Sequence, residues 1–177
     1  MQNAAGGPFA DFDIHALYEA LDAKRAARGM SWQQVAREMG SRSGSTPGRS
    51  LSSSTLSGIR KRRALEGDGV LQMLQWLGRT PESFVPGRPE VEAESSALPA
   101  PRTGGILRFD CRAIYLALDA QRRERGLTWR EAAREMGVPN PAALTHLSKG
   151  GRTGFPQVMR ILRWLRRPAV SFTRISN

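Results

Sequence analysis

The sequence holds one cysteine, Cys111, so no internal disulfide can form, which fits a reducing compartment. Apolar runs are short, and none approaches the ~20 residues that a membrane-spanning helix needs. Residues 1–7 have no basic stretch followed by an apolar one, so no secretory leader is read there and a cytoplasmic protein is expected. Histidine is scarce: His15 and His146 are the only two, and no zinc-spaced cluster exists. No G-x-x-x-x-G-K-[ST] phosphate loop and no catalytic constellation is found. The expectation is a protein that is not an enzyme and uses no cofactor or metal.

Acidic residues are also few, 16 against 27 basic ones, giving a net charge of +11 over 177 residues. Such a balance points to a polyanionic partner, although charge alone does not separate nucleic acid from other roles. Lysine supplies only 3 of the 27 basic groups and arginine 24. Guanidinium forks suit phosphate and base edges, and an arginine bias also follows from genome composition. With 40% apolar residues, the chain can bury real cores.

The chain is an internal duplication. Residues 12–40 align with 109–137 without a gap, and 17 of 29 positions are identical. Residues 53–84 align with 141–172 with 9 of 32 identical, among them Leu56/Leu144, Leu74/Leu162, Trp76/Trp164 and Phe84/Phe172. The offset is 97 in the first block and 88 in the second, so repeat 1 carries nine extra residues between Gly40 and Ser53. Two copies are too few for a solenoid, and each should be a small domain. The domain boundaries are 9–84 with an enlarged loop at about 41–52, a Pro/Ala/Glu/Gly-rich linker at 85–108, and 109–174. Charge divides unevenly: 11 basic and 8 acidic groups in 1–84, 3 of each in 85–108, and 13 against 5 in 109–177.

Apolar spacing predicts helices. Ile14, Leu17, Tyr18 and Leu21 fall at i, i+3, i+4, i+7, as do Cys111, Ile114, Tyr115 and Leu118. Gly29 and Gly126 suit left-handed caps. Ser31 with Gln34, and Thr128 with Glu131, form capping boxes for a second helix that Gly40 and Gly137 would close. Its apolar set is Trp32, Val35, Ala36, Met39 and Trp129, Ala132, Ala133, Met136. A third helix is expected in repeat 2 with Asn140 as N-cap and Pro141 at its first position. Fourth helices cover Val70 to Leu77 and Val158 to Leu165, after which Phe84 and Phe172 fold back on the core. No period-2 alternation stands out, so the fold class is all-α.

Repeat 2, T-W-R-E-A-A-R-E-M-G-V-P-N-P-A-A-L-T-H-L-S-K-G-G-R, resembles the Cro/cI (xenobiotic-response-element, lambda-repressor-like) helix-turn-helix regulators. The resemblance implies two tandem bundles of four to five helices each, joined by a flexible linker, whose third helices enter the major groove. Repeat 1 departs from the pattern, with a loop in place of the tight turn. Trp32 and Trp129 stand where the family usually has a polar residue that touches phosphate, and read as core.

By that resemblance, Asn140, Ala142, Ala143, Thr145 and His146 of repeat 2 meet base edges, as do Ser53, Ser54, Thr55 and Ser57 of repeat 1, beside Gly58. Asn140 serves equally well as a simple cap. Lys149, Arg152, Arg130 and Arg134, and in repeat 1 Arg60, Lys61, Arg62 and Arg63 with Arg42 and Arg49, are phosphate candidates, against the alternative of a solvated face. The implied partner is double-stranded DNA with two unlike half-sites, bound by a nucleoid-associated regulator, with no membrane. The alternative is an adaptor in which repeat 1 docks a protein partner or a second copy of the chain.

Overall fold

A computed structural model of the chain describes residues 12–43, 51–61, 65–86, 97–101, 105–150 and 153–176, the side chains of 42 and 43 excepted. It is mostly helical. Repeat 1 contributes α1 (Ile14–Ala27), α2 (Trp32–Ser43), α3 (Ser53–Gly58) and α4 (Gly67–Leu77). Repeat 2 contributes α5 (Cys111–Glu124), α6 (Trp129–Met136), α7 (Ala142–Thr145) and α8 (Phe155–Leu165). Short 3₁₀ turns follow α3 (Ile59–Lys61) and α7 (His146–Lys149), and others at Pro81–Phe84 and Ala169–Phe172 end each repeat.

Identical sequence makes identical local structure. Asp13 and Asp110 cap α1 and α5, their Oδ1 atoms accepting the N–H of Ala16 and Ala113 at 2.9 Å. Each first helix ends at a left-handed glycine, Gly29 (φ 59°) and Gly126 (φ 64°). Both capping boxes form: Ser31 N–H donates to Gln34 Oε1 (2.7 Å), and Thr128 N–H to Glu131 Oε2 (2.7 Å). Phe84 and Phe172 are buried, and their carbonyls accept the N–H of Asp13 and Asp110 at 2.8 Å, closing each repeat on itself.

Several elements differ from the expectations drawn from sequence. Gly40 does not close α2, which runs on to Ser43; buried Met39 anchors that turn, Ser41 Oγ donates to Glu38 O (2.9 Å), and an internal glycine costs a helix only about 1 kcal/mol. The expected loop at 41–52 therefore begins later, and its residues 44–50 lie outside the described residues. The fourth helices start three residues earlier than expected, at Gly67 and Phe155. Trp32 and Trp129 are half-buried and pack against the core: each stacks on a tyrosine of the first helix (Tyr18 and Tyr115, centroids 5.8 and 5.6 Å) beneath an arginine (Arg25 and Arg122).

The fold also contains strands. β1 (Ile106–Phe109) pairs antiparallel with β2 (Thr173–Ser176), Phe109 opposite Thr173 and Ile106 opposite Ser176. Four-residue strands are too short to show period-2 alternation, and the partner lies more than sixty residues away. β1 begins inside the span read as linker, and Arg108 on it pairs with Asp68 of α4 at 3.2 Å.

The buried residues of both repeats form one hydrophobic cluster. Between the repeats, at the edge of that cluster, exposed Glu66 and Gly154 form an antiparallel bridge. Gly67 N–H donates to Thr153 O (3.3 Å) and Phe155 N–H to Leu65 O (2.8 Å). At the 88-residue offset, Glu66 is the counterpart of Gly154, Leu65 of Thr153 and Gly67 of Phe155. Equivalent residues thus exchange equivalent bonds, and a local pseudo-two-fold axis passes through the bridge. Phe155 fills the axis, its ring 4.6 Å from Phe12 and 5.7 Å from Phe109. On the other side Gly67 makes room for the Phe109 ring: a Cβ there would stand 3.1 Å from Phe109 Cδ2. Glu82, 3% exposed, accepts the N–H of Ala169 at 2.7 Å across the same boundary.

Candidate nucleic-acid interface

Each repeat raises a short third helix on a small apolar base. Leu56 and Ile59 in repeat 1, and Leu144 and Leu147 in repeat 2, are buried and hold α3 and α7 down. In repeat 2, buried Ala132 and Ala133 keep α6 thin there. Gly137, at φ 67°, ends α6, and Val138 N–H returns to Ala133 O at 2.8 Å. Arg160 of α8 donates to Gly137 O (2.7 Å) and secures the turn from below. Sequence reasoning missed Arg160, because its partner is 23 positions away and no local pattern announces it.

The expected base-facing residues of repeat 2 lie together on this raised helix and its approach. Asn140, Ala142 and His146 are exposed, Ala143 and Thr145 half-buried. α7 begins at Ala142, one residue later than expected, but Asn140 still caps it: its Oδ1 accepts the N–H of Ala142 at 3.0 Å. The cap uses one lone pair of Oδ1, so a bidentate grip on adenine would share that oxygen between the base and the helix. Thr145 Oγ1 donates to Ala142 O (3.0 Å), which turns its hydroxyl to the backbone.

In repeat 1, Ser54 and Ser57 are exposed, Ser53 and Thr55 half-buried. N-cap Ser52 accepts the N–H of Thr55 (3.1 Å) and shares hydroxyl bonds with Ser54 (2.9 Å) and Thr55 (2.8 Å). This face therefore satisfies much of its own hydrogen bonding.

Charge distinguishes the available cations from those already used. Arg122 and Arg123 both hold Asp119 (2.6 and 2.9 Å), and Arg125 holds Glu135 (2.7 Å). The Arg122 hydrogen bond keeps the Asp119 carboxyl below the usual carboxylate range. Glu135 is lowered first by the Trp164 indole N–H, then by Arg125, and Glu131 by the Thr128 hydroxyl of its own capping box. Arg130 and Arg134, four apart on α6, are exposed and outside any ion pair among the described residues; so are Lys149 and, in repeat 1, Arg60 and Lys61. Arg49, Arg62, Arg63 and Arg152 lie outside the described residues, as does the side chain of Arg42.

Among the described residues no group of three or more His, Cys, Asp or Glu is placed to hold a metal ion, and no helix is long and apolar enough to cross a membrane. Cys111 is buried on α5, and burial pushes its thiol pKa up. Comparison with family models, curated proteins and solved structures finds no match to this chain.

Proposed function

We propose that each repeat is a Cro/cI-like helix-turn-helix domain and that the chain is a sequence-specific DNA-binding transcriptional regulator, non-enzymatic and cytoplasmic, acting as a covalent pseudo-dimer. The observation that carries the reading is the pair of short helices, α3 and α7, each with exposed residues and each held on an equivalent buried leucine, Leu56 and Leu144, in two halves joined by a locally two-fold bridge. Proteins of this build read two half-sites about 34 Å apart, one helical turn of duplex. Exposed cations beside α7 (Arg130, Arg134 and Lys149) supply phosphate contacts, while Ala142, His146 and the Asn140 amide face the groove.

Because α3 carries small hydroxyls while α7 is flanked by the Asn140 amide and the His146 imidazole, the half-sites are unlike. Repeat 2 is the stronger reader. DNA selection with the intact protein, followed by gel-shift titration at several salt concentrations, tests the proposal. Recovery of paired, unequal half-sites supports it; binding indifferent to sequence defeats it.

The second reading is an adaptor in which repeat 1 docks a protein and only repeat 2 touches DNA. It is favoured by the internally bonded hydroxyls of Ser52, Ser54 and Thr55. Selection then recovers a single half-site, and substitutions in α3 leave DNA affinity unchanged.

A further inference from the structure

Three contacts join the repeats through residues that differ between them. Phe155 packs on Phe12 of repeat 1, ring centroids 4.6 Å apart, while its counterpart Gly67 makes room for Phe109. Asp68 of α4 pairs with Arg108 of β1 at 3.2 Å, and the counterpart of Asp68 is Pro156. Glu82 Oε1 accepts the N–H of Ala169 at 2.7 Å; the counterpart of Glu82 is Val170 and that of Ala169 is Pro81. Glu82 is 3% exposed and Ala169 fully buried, so neither group is served by bulk water. The second oxygen of Glu82 finds no donor among the described residues, so the Ala169 N–H is the bond that holds this carboxylate.

Each difference works against a pair of like repeats in the same arrangement. A second repeat 1 in place of repeat 2 puts Pro81 where Ala169 stands. Proline has no N–H, so the buried Glu82 carboxylate loses its donor. It also puts Gly67 where Phe155 stands, and the ring against Phe12 gives way to a hole. A second repeat 2 in place of repeat 1 puts Phe155 where Gly67 stands, at a point where a Cβ alone meets Phe109 at 3.1 Å. Val170 then offers the buried Ala169 N–H no acceptor, and Pro156 offers Arg108 no carboxylate. The bonds around Glu66 and Gly154, by contrast, use backbone atoms that either repeat possesses. They supply adhesion without choice.

We propose that the contact between the repeats is a recognition face that selects its partner: repeat 1 accepts repeat 2 and rejects a second copy of itself, and repeat 2 likewise rejects its own copy. Specificity is a difference between affinities, and here it comes from a missing N–H or a doubled ring on the wrong side. The connecting segment raises the local concentration of the two halves but does not carry the choice. The selection holds whatever the third helices bind.

The test begins with thermal melts of the intact chain. Gly67→Phe and Phe155→Gly should each lower the melting temperature or abolish the cooperative melt. The double variant exchanges ring and hole, and should recover about half or more of the summed loss. Additive losses, or a double variant without a cooperative melt, overturn the proposal, because ring and hole would then be unrelated packing sites. A second measurement reads the choice directly. A protease site placed within residues 87–96 is cut in the folded chain, and the product is warmed until ¹⁵N-labelled and unlabelled halves have exchanged. Native mass spectrometry then weighs the complexes. Pairs of unlike repeats should outnumber each like pair by about a hundredfold or more. Glu82→Val, which removes the buried carboxylate, should raise the share of repeat-1 pairs about tenfold. A statistical mixture of the three pairs, halves that separate into single repeats, or a ratio that Glu82→Val leaves unchanged overturns the proposal.

Discussion

In repeat 1, α2 runs through Gly40 to Ser43; in repeat 2, Gly137 takes φ 67° and stops α6 at Met136. The helices before that point are nearly superimposable in their contacts. Asp13 and Asp110 cap, Arg25 and Arg122 bridge to Met30 O and Leu127 O, and Arg28 and Arg125 reach Glu38 and Glu135. Beyond it the repeats part: one third helix carries serines, the other is flanked by an amide and an imidazole, and one side of the bridge carries Gly67, the other Phe155. The duplication therefore kept the frame that holds each repeat together. Its differences gather where the repeats meet each other and where they meet the outside.

The largest effect is expected at the axis. Phe155→Ala removes the ring shared by both halves and should cost about 3–5 kcal/mol. Calorimetry of this variant should show the single unfolding transition splitting in two; one unshifted transition would show that Phe155 does not couple the halves. Gly67→Ala, whose Cβ meets Phe109 at 3.1 Å, should cost less, about 1–3 kcal/mol, since a ring edge can shift.

The next comparison concerns the third helices. His146→Ala and Asn140→Ala should each weaken binding to the selected DNA by about 1–3 kcal/mol, while Ser54→Ala and Ser57→Ala change it by less than about 0.5 kcal/mol. Equal losses in gel shift from the two repeats would remove the ranking of the heads. Lys149→Ala should lower the salt slope by about one without altering sequence preference.

The smallest effect is a pH dependence confined to repeat 2. Glu131 caps α6 with a carboxylate of depressed pKa, whereas Gln34 caps α2 as a neutral amide. A depressed carboxylate contributes stability above its unfolded pKa, about 4.3, and loses it as pH falls through the folded value. Thermal melts from about pH 6 down to about pH 2 should therefore show Glu131→Gln less acid-sensitive than the parent chain, with little difference near neutrality.

Much of this was legible in the sequence because it is local. Capping boxes, αL glycines and the i, i+3, i+4 apolar faces are set by residues within one turn of each other, and the duplication displayed each of them twice. Leu56 and Leu144, which hold the third helices down, stood out as an identity of the duplication. What escaped depends on distant partners. The β1–β2 pair joins residues over sixty positions apart, and the bridge at Glu66 and Gly154 joins the two copies through backbone atoms, which leave no composition signal. Arg160 under the turn, and the use of Asn140 Oδ1 as a cap, depend on which atoms point where. A list of residue types does not fix that.

The bridge at the axis also bears on dosage. A regulator assembled from separate subunits must first find its partner, so at low copy number its site occupancy falls faster than in proportion to the protein present. Here both halves arrive on one polypeptide and share one core, so assembly takes no second molecule. Under the proposed function, occupancy follows a simple hyperbola in protein concentration, and the cell reads this regulator linearly down to its scarcest levels.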